Sequence, residues 1–399
     1  MTVLDRAAFQ KEVEVPSLVI PLEKLKQVLK VLKPCLLKMC KLPPVRSEGH
    51  DRRVLLNPAL FDEKLLYLEQ VLRNFNLNSV EWTNLQLTYE NFSHESIFKV
   101  VLPADNCSVS SFSIVGHIIH LNLKPHLMDY KHLIGEVLLD KLHNIKTVVN
   151  KAQVIETEFR NFQMELLAGE PNYEVTVKEN GFQYAFDFSK VFWNPRLVHE
   201  HGELVKKIDS GATVFDVFAG VGPFAIPLAK KKCVVHANDL NPDSYQWLCH
   251  NAELNKVKHN LTAYNLDGRD FIQSIVKEGL LRCFKSPESP SIHIIMNLPA
   301  CALSFVDTFC GLLKSSDFEN HTTPLVFVHC YFFLKKDEDE AEVAEKYLDL
   351  ESQTSMQICP VRVVAPNKRM MRITYKLSPR LLFSLKEDFP EPSAKRIKT

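Results

Sequence analysis

The chain has 399 residues, 46% hydrophobic and 24% charged, and its 48 Lys and Arg balance 48 Asp and Glu to a formal net charge of zero. That length accommodates two to three domains, and that composition suits packed cores rather than a disordered or collagen-like chain. With no overall positive field, any nucleic-acid contact must rest on local basic clusters, such as Lys24 to Lys41 or Lys368 with Arg369. No run is long and apolar enough to predict a membrane span. Ten cysteines occur without a Cys-x-x-Cys pair or histidines at zinc-ligand spacing, which predicts reduced intracellular thiols and no metal site.

Taken in chain order, residues 1–53 form a Lys-rich extension with Leu22, Leu25, Leu29 and Leu32 at helical spacing, read as an amphipathic helix on a tether. The opening Met-Thr-Val-Leu-Asp-Arg has no secretory apolar core, and early Asp5, Glu12 and Glu14 do not suit a transit peptide. Residues 54–108 are expected to form a small α+β domain, with a helix over 61–74 and strands over 85–89 and 97–102. Residues 109–190 form a second α+β block, with strand-like runs at 114–123, 147–149 and 173–177 and a helix over 131–141.

Residues 191–385 alternate short β-branched or aromatic runs at 213–215, 233–237, 261–264, 292–296 and 325–330 with helical stretches at 224–230, 243–254 and 270–281. Runs apolar on nearly every residue suit strands buried on both faces, so the pattern predicts an α/β domain with a mostly parallel, doubly wound sheet. Residues 361–364 and 370–375 flank Ala365-Pro-Asn-Lys and read as a hairpin that adds an antiparallel strand. The last segment, 386–399, is a basic tail in which Lys395-Arg-Ile-Lys398 could also serve as a nuclear signal.

Four strings follow four of these strands: Asp216-Val-Phe-Ala-Gly-Val-Gly-Pro-Phe, Asn238-Asp-Leu-Asn-Pro, Asn265-Leu-Asp-Gly-Arg-Asp and Asn297-Leu-Pro-Ala. Loops at the carboxyl ends of parallel strands are where open α/β sheets bind ligands. Gly220 and Gly222 permit a tight turn, and with Ala225 as a formal third small residue a dinucleotide site remains open. Asp239 suits a ribose in either case. Asp216 separates the two, because a carboxylate would repel a pyrophosphate but attract the ammonium and sulfonium of S-adenosyl-L-methionine. Asp267 suits an adenine amino group, though both aspartates could simply cap turns. Asn297 offers the acceptor and donor needed to hold a planar nitrogen base edge-on, and Pro299 stiffens its loop.

Asp187-Phe-Ser-Lys-Val-Phe-Trp-Asn-Pro-Arg-Leu-Val-His-Glu-His, together with the strings at Asp216 and Asn297, resembles the monomeric tRNA (guanine-N1)-methyltransferases of archaea and eukaryotes, which modify the guanosine 3′ of the anticodon. The likeness runs from about Leu55 to Leu377. It implies a class I methyltransferase domain preceded by small α+β domains, S-adenosyl-L-methionine as cofactor, tRNA as partner and no membrane. Glu200 matches the general base that takes the N1 proton, Arg196 the arginine that orients it, and Arg160 the arginine facing guanine O6. Asn297 and Pro299 match positions that hold the base and the methyl group. His201, Asp239, Leu240, Asp267 and Gly268 fall where the cofactor is contacted. Archaeal members carry Tyr where this chain has Phe192, which preserves stacking without a hydroxyl. Cytoplasm, nucleus and mitochondrial matrix are the implied compartments.

The chemistry accords with those roles. Guanine N1 is a poor nucleophile until its proton leaves, which calls for a carboxylate within reach, and the negative charge that builds on O6 calls for an arginine. An Arg196 and Glu200 pair at i, i+4 would share a helix face, although a plain surface ion pair has the same spacing. Two alternatives stay open: a related aminocarboxypropyl transfer in wybutosine formation, and a non-catalytic RNA-binding relative.

Overall fold

The computed structural model describes residues 3–103, 109, 112–151, 164–284, 291–314 and 325–383. The chain divides into two compact units. One comprises residues 1–112, 119–150 and 165–171, the other 113–118, 151–164 and 172–399.

In the first unit, β1 (Lys11–Ile20), β2 (Val45–Glu48), β3 (Asp51–Leu55) and β4 (Glu81–Leu87) form an antiparallel sheet in the order β2-β3-β1-β4. Helices α1 (Leu22–Leu32) and α2 (Leu65–Phe75) pack on it, burying Val28, Leu32, Leu68 and Val71 against Leu18, Ile20, Val54 and Leu56. The boundary expected at residue 53 therefore falls inside β3. Far from a tethered extension, residues 11–20 supply a strand paired on both sides, and the leucine stripe of α1 is the lid on its core. The β-branched alternation that makes β1 a strand was outweighed in the sequence by the lysines around it.

From residue 113 on, β5 (Phe112–Val115) belongs to the second unit, while the remainder of the first sets β6 (Ile118–Leu121), β7 (Thr147–Lys151) and β8 (Met164–Gly169) side by side. Against them pack α3 (His94–Val101) and α4 (Lys131–Lys141), through Ile97, Phe98, Leu133, Ile134, Val137 and Leu138. The strand expected over 97–102 is thus a helix. Ser93 caps it, its Oγ accepting from the Ser96 amide at 3.2 Å, and Ile97 with Phe98 form its buried side. A short apolar run has no period long enough to distinguish the two states.

The second unit is built around a seven-stranded sheet. It opens with the hairpin β9 (Glu174–Glu179) and β10 (Phe182–Asp187), then a 3-10 turn (Pro195–Leu197) and α5 (Val198–Lys207). Strands β11 (Thr213–Asp216), β12 (Val234–Asn238), β13 (Leu261–Tyr264), β14 (Ile292–Met296) and β15 (Val326–Lys335) are parallel, and β16 (Gln357–Ala365) and β17 (Lys368–Lys376) complete the sheet antiparallel, in the order β13-β12-β11-β14-β15-β17-β16. Each expected strand and the closing hairpin are present. Strand order reverses at β11, which has β12 on one side and β14 on the other, so the loops after these strands diverge and leave a crevice.

Helices α6 (Ala225–Lys230) and α7 (Pro242–Leu254) follow β11 and β12. The α7 helix also carries the hairpin. Asn251 Oδ1 accepts from the Ala185 amide and its Nδ2 donates to the Ala185 carbonyl, while Asn255, one turn on, makes the same pair with Gln183. These carboxamides imitate a neighbouring strand for β10 and fix the segment that leads into α5. The block expected over 109–190 is accordingly divided, because residues 119–150 belong to the first unit and 172–190 to the second.

Replacing Ser93 with alanine should lower the unfolding free energy by about 1 kcal/mol, the usual weight of an N-cap. Urea unfolding followed by circular dichroism would measure it, and an unchanged midpoint would remove the cap's share in α3.

Candidate active site

The glycine loop between β11 and α6 is shaped by local conformation. Gly220 (φ +54°) and Gly222 (φ +99°) lie in the left-handed region that side chains disfavour. A Cβ on Gly222 would lie 2.8 Å from Leu248 Cδ1 on α7, so the loop can approach that helix only without a side chain. The Gly220 amide donates to Asp239 Oδ2 at 2.8 Å, and Asp239 Oδ1 accepts from the Asn241 amide at 3.0 Å.

Two asparagines bind the loops to one another. Buried Asn238 donates to the carbonyls of Val217 and Leu266 and accepts from the Leu266 amide, and Asn265 donates to the carbonyls of Asp239 and Leu240. Both stood in the sequence strings, but nothing in their spacing signalled this role. Asp267 caps the following helix through the Arg269 amide at 2.8 Å, as its plainer reading held, and remains exposed. Gly268 is buried, and a Cβ there would meet the Phe218 ring at 2.9 Å.

Asp216 differs from every other acid in the domain. It is fully buried, and neither carboxylate oxygen has a hydrogen-bond partner of good geometry, the Phe218 amide approaching it only loosely. Burial drives its pKa up to about 8, the charge of Asp239 adds to the rise, and the Phe218 amide offsets only part of it. Asn297, just past β14, likewise has a buried Oδ1 without a partner. Pro299 is held from the next strand, where the Phe333 amide donates to its carbonyl at 3.1 Å.

Glu200 lies in the first turn of α5 and reaches the sheet. Its Oε1 accepts from the Tyr331 hydroxyl at 2.7 Å and from the Arg372 guanidinium. Tyr331 and Arg372 are buried and face each other in register across β15 and β17. Because Met296 pairs with Cys330, Tyr331 stands one step past the end of β14, level with Asn297. Neighbouring His201 is buried, bonded through Nδ1 to Glu179 at 2.6 Å and set edge-on to Phe224 at the end of the glycine loop.

The arginine that holds Glu200 is therefore Arg372, not Arg196. Asn194 caps a 3-10 turn at Pro195 to Leu197, and α5 begins only at Val198, so residues 196 and 200 do not share an α-helical face. Arg196 is exposed and stands near half-buried Arg362, whose pKa is lowered by burial and by that like charge. Among the described ion pairs neither arginine has an acidic partner. Phe192 is 56% exposed. Arg160 lies outside the described residues. None of the nine described cysteines is in a disulfide, and no cluster of metal-ligating side chains occurs among the described residues.

The Asp216 carboxyl binds its proton more tightly when folded than when unfolded. Between pH about 4 and about 8 the unfolded chain therefore holds fewer protons, and stability drains away as pH rises through that window. Asp216→Asn should raise the melting temperature of the ligand-free protein near pH 8 and leave it unchanged near pH 4. Equal shifts at both values would contradict the assignment.

Comparison with known proteins agrees with this geometry. A model of the TRM5/TYW2 methyltransferase domain matches residues 175–324, and one of the TYW2 N-terminal domain matches residues 95–172. A tRNA (guanine(37)-N(1))-methyltransferase of Xenopus tropicalis is 45% identical over 419 residues, covering 100% of this chain and 83% of the relative. The complex structure of aTrm5 and tRNALeu superposes with a TM-score of 0.63 at 25% identity, over 91% of this chain and 100% of that one. Trm5 of Methanocaldococcus jannaschii in complex with adenosine does so with a TM-score of 0.52 at 25% identity, over 92% and 99%. Similarity sustained along the full length, over a fold whose strand-end loops carry the expected acids and glycines, makes this chain a member of the tRNA (guanine(37)-N(1))-methyltransferase family.

Proposed function

We propose that Glu200 removes the N1 proton of the guanosine 3′ of the anticodon in tRNA, so that this nitrogen can accept a methyl group from S-adenosyl-L-methionine. Methylation of guanine N1 at position 37 is the family's activity. The observation that carries the residue-level reading is the placement of the Glu200 carboxylate beside Tyr331, one step past β14 and level with Asn297.

The residues of the crevice suit the cofactor. Asp216 is an uncompensated buried acid, which a cationic ligand would stabilise as its anion, and Asn297 Oδ1 is an acceptor without a donor. Asp216, Gly220 and Gly222 would hold the amino-acid end, Asp239 and Leu240 the ribose, and Asp267 and Gly268 the adenine, with His201 backing the loop through Phe224. When bound, S-adenosyl-L-methionine supplies an electrophilic methyl group on a positively charged sulfur.

The protein's own groups perform the rest. Glu200 accepts the proton, Asn297 fixes the base edge, and Pro299 restricts the loop that presents it. Arg160 is assigned to guanine O6, where negative charge builds. Phe192 offers a face for stacking. Arg196 and Arg362, near each other and without acidic partners among the described ion pairs, suit the RNA backbone. A monomer acting in cytoplasm, nucleus and mitochondrial matrix completes the proposal.

Incubation with labelled methyl donor and transcripts bearing G or A 3′ of the anticodon tests the substrate. Labelling should require G, and the methyl should map to N1. Glu200→Gln should keep cofactor affinity and slow turnover by roughly 10²- to 10⁴-fold, the weight of a positioned base; unchanged methylation would refute that assignment. Arg196→Ala and Arg362→Ala should each raise KM for tRNA and reduce its salt dependence, and a salt profile that does not change would detach them from the phosphates.

A further inference from the structure

We propose that Tyr331 and Arg372 are positioning residues for the proton acceptor, clamping Oε1 of Glu200 so that Oε2 is the atom that takes the proton. The inference rests on reading Glu200 as the base. Both donors converge on one carboxylate oxygen, the hydroxyl at 2.7 Å and the guanidinium beside it. They stand directly opposite each other on adjacent antiparallel strands, and both are buried, so the clamp belongs to the sheet rather than to a loop. Arg372 Nε has no hydrogen-bond partner. Burying an arginine there with so little other compensation is explained by the anion it faces.

The two donors have different consequences. A guanidinium is charged at every working pH, so Oε1 of Glu200 always faces a fixed positive charge. Burial, followed by the nearby Glu200 charge, pushes the Tyr331 phenol well above its usual range. It therefore donates without releasing its own proton. In the reaction the N1–H bond breaks, its electron pair stays on nitrogen, and the proton goes to Oε2. The resulting carboxylic acid keeps Oε1 as its carbonyl oxygen, which still accepts from both donors. The clamp thus serves reactant and product alike, and nothing around the base has to reorganise.

Removing either donor should free the carboxylate to turn, so that Oε2 is no longer held toward the proton. Single-turnover methylation by Tyr331→Phe should fall about 10- to 100-fold, the weight of a hydrogen bond to a charged group. KM for tRNA and the calorimetric affinity for S-adenosylhomocysteine should not change. Arg372→Lys should recover part of the rate lost in Arg372→Met. The decisive comparison is a double-mutant cycle, in which Tyr331→Phe added to Glu200→Gln should cost nothing further. An equal loss in both backgrounds, or a Tyr331→Phe enzyme with the parental rate, would overturn the clamp. Parental activity in Glu200→Gln alone would instead remove the base reading on which the clamp rests.

Discussion

The burial of Arg372 against Glu200 governs how this domain can be assembled. A guanidinium inside the fold is tolerable only beside an anion, and deleting one member of such a pair commonly costs roughly 3–5 kcal/mol because the other charge is left without compensation. The pair therefore ties the first turn of α5 to the last hairpin of the sheet, elements 172 residues apart. A carboxylate with the proposed role in proton transfer must neither wander nor sink into an apolar wall. Here a charge and a hydroxyl from two paired strands hold one of its oxygens.

The crevice next to it follows a complementary logic. Its loops are joined by neutral carboxamides: Asn238 links the strings after β11 and β13, Asn265 grips the turn after β12, and Asn251 with Asn255 docks the hairpin that leads to Glu200. Asn238 and Asn251 satisfy backbone groups inside the fold, whereas the bonds of Asn255 and Asn265 lie at its surface. Against this saturated framework, Asp216 and Asn297 stand out as acceptors left unsatisfied. Loops held by such hydrogen bonds need little reordering to accept a ligand, and under the proposed function a cationic one would offset the cost of the buried acid.

Local chemistry was legible in the sequence, since short-range patterns report backbone conformation. The apolar runs gave every strand of the parallel sheet, and the paired glycines gave a turn with positive φ. Where one pattern admits two structures, local reading failed. The run Ile97-Phe-Lys-Val-Val-Leu is helix α3 because Ser93 caps it and its apolar side meets α4, and residues 11–20 are a strand because β3 and β4 flank them. The spacing of Arg196 and Glu200 promised a pair, yet a 3-10 turn intervenes.

The sequence by itself determined the alternation of strands and helices, the four strand-end loops and the family. Only the tertiary structure decided which cation meets Glu200 and which hydroxyl joins it. Tyr331 lies in a mostly apolar strand and Arg372 in the middle of another, 131 and 172 residues from the glutamate. Neither has a motif, because a contact between distant segments is set by sheet order and register, and these emerge only when all seven strands are paired.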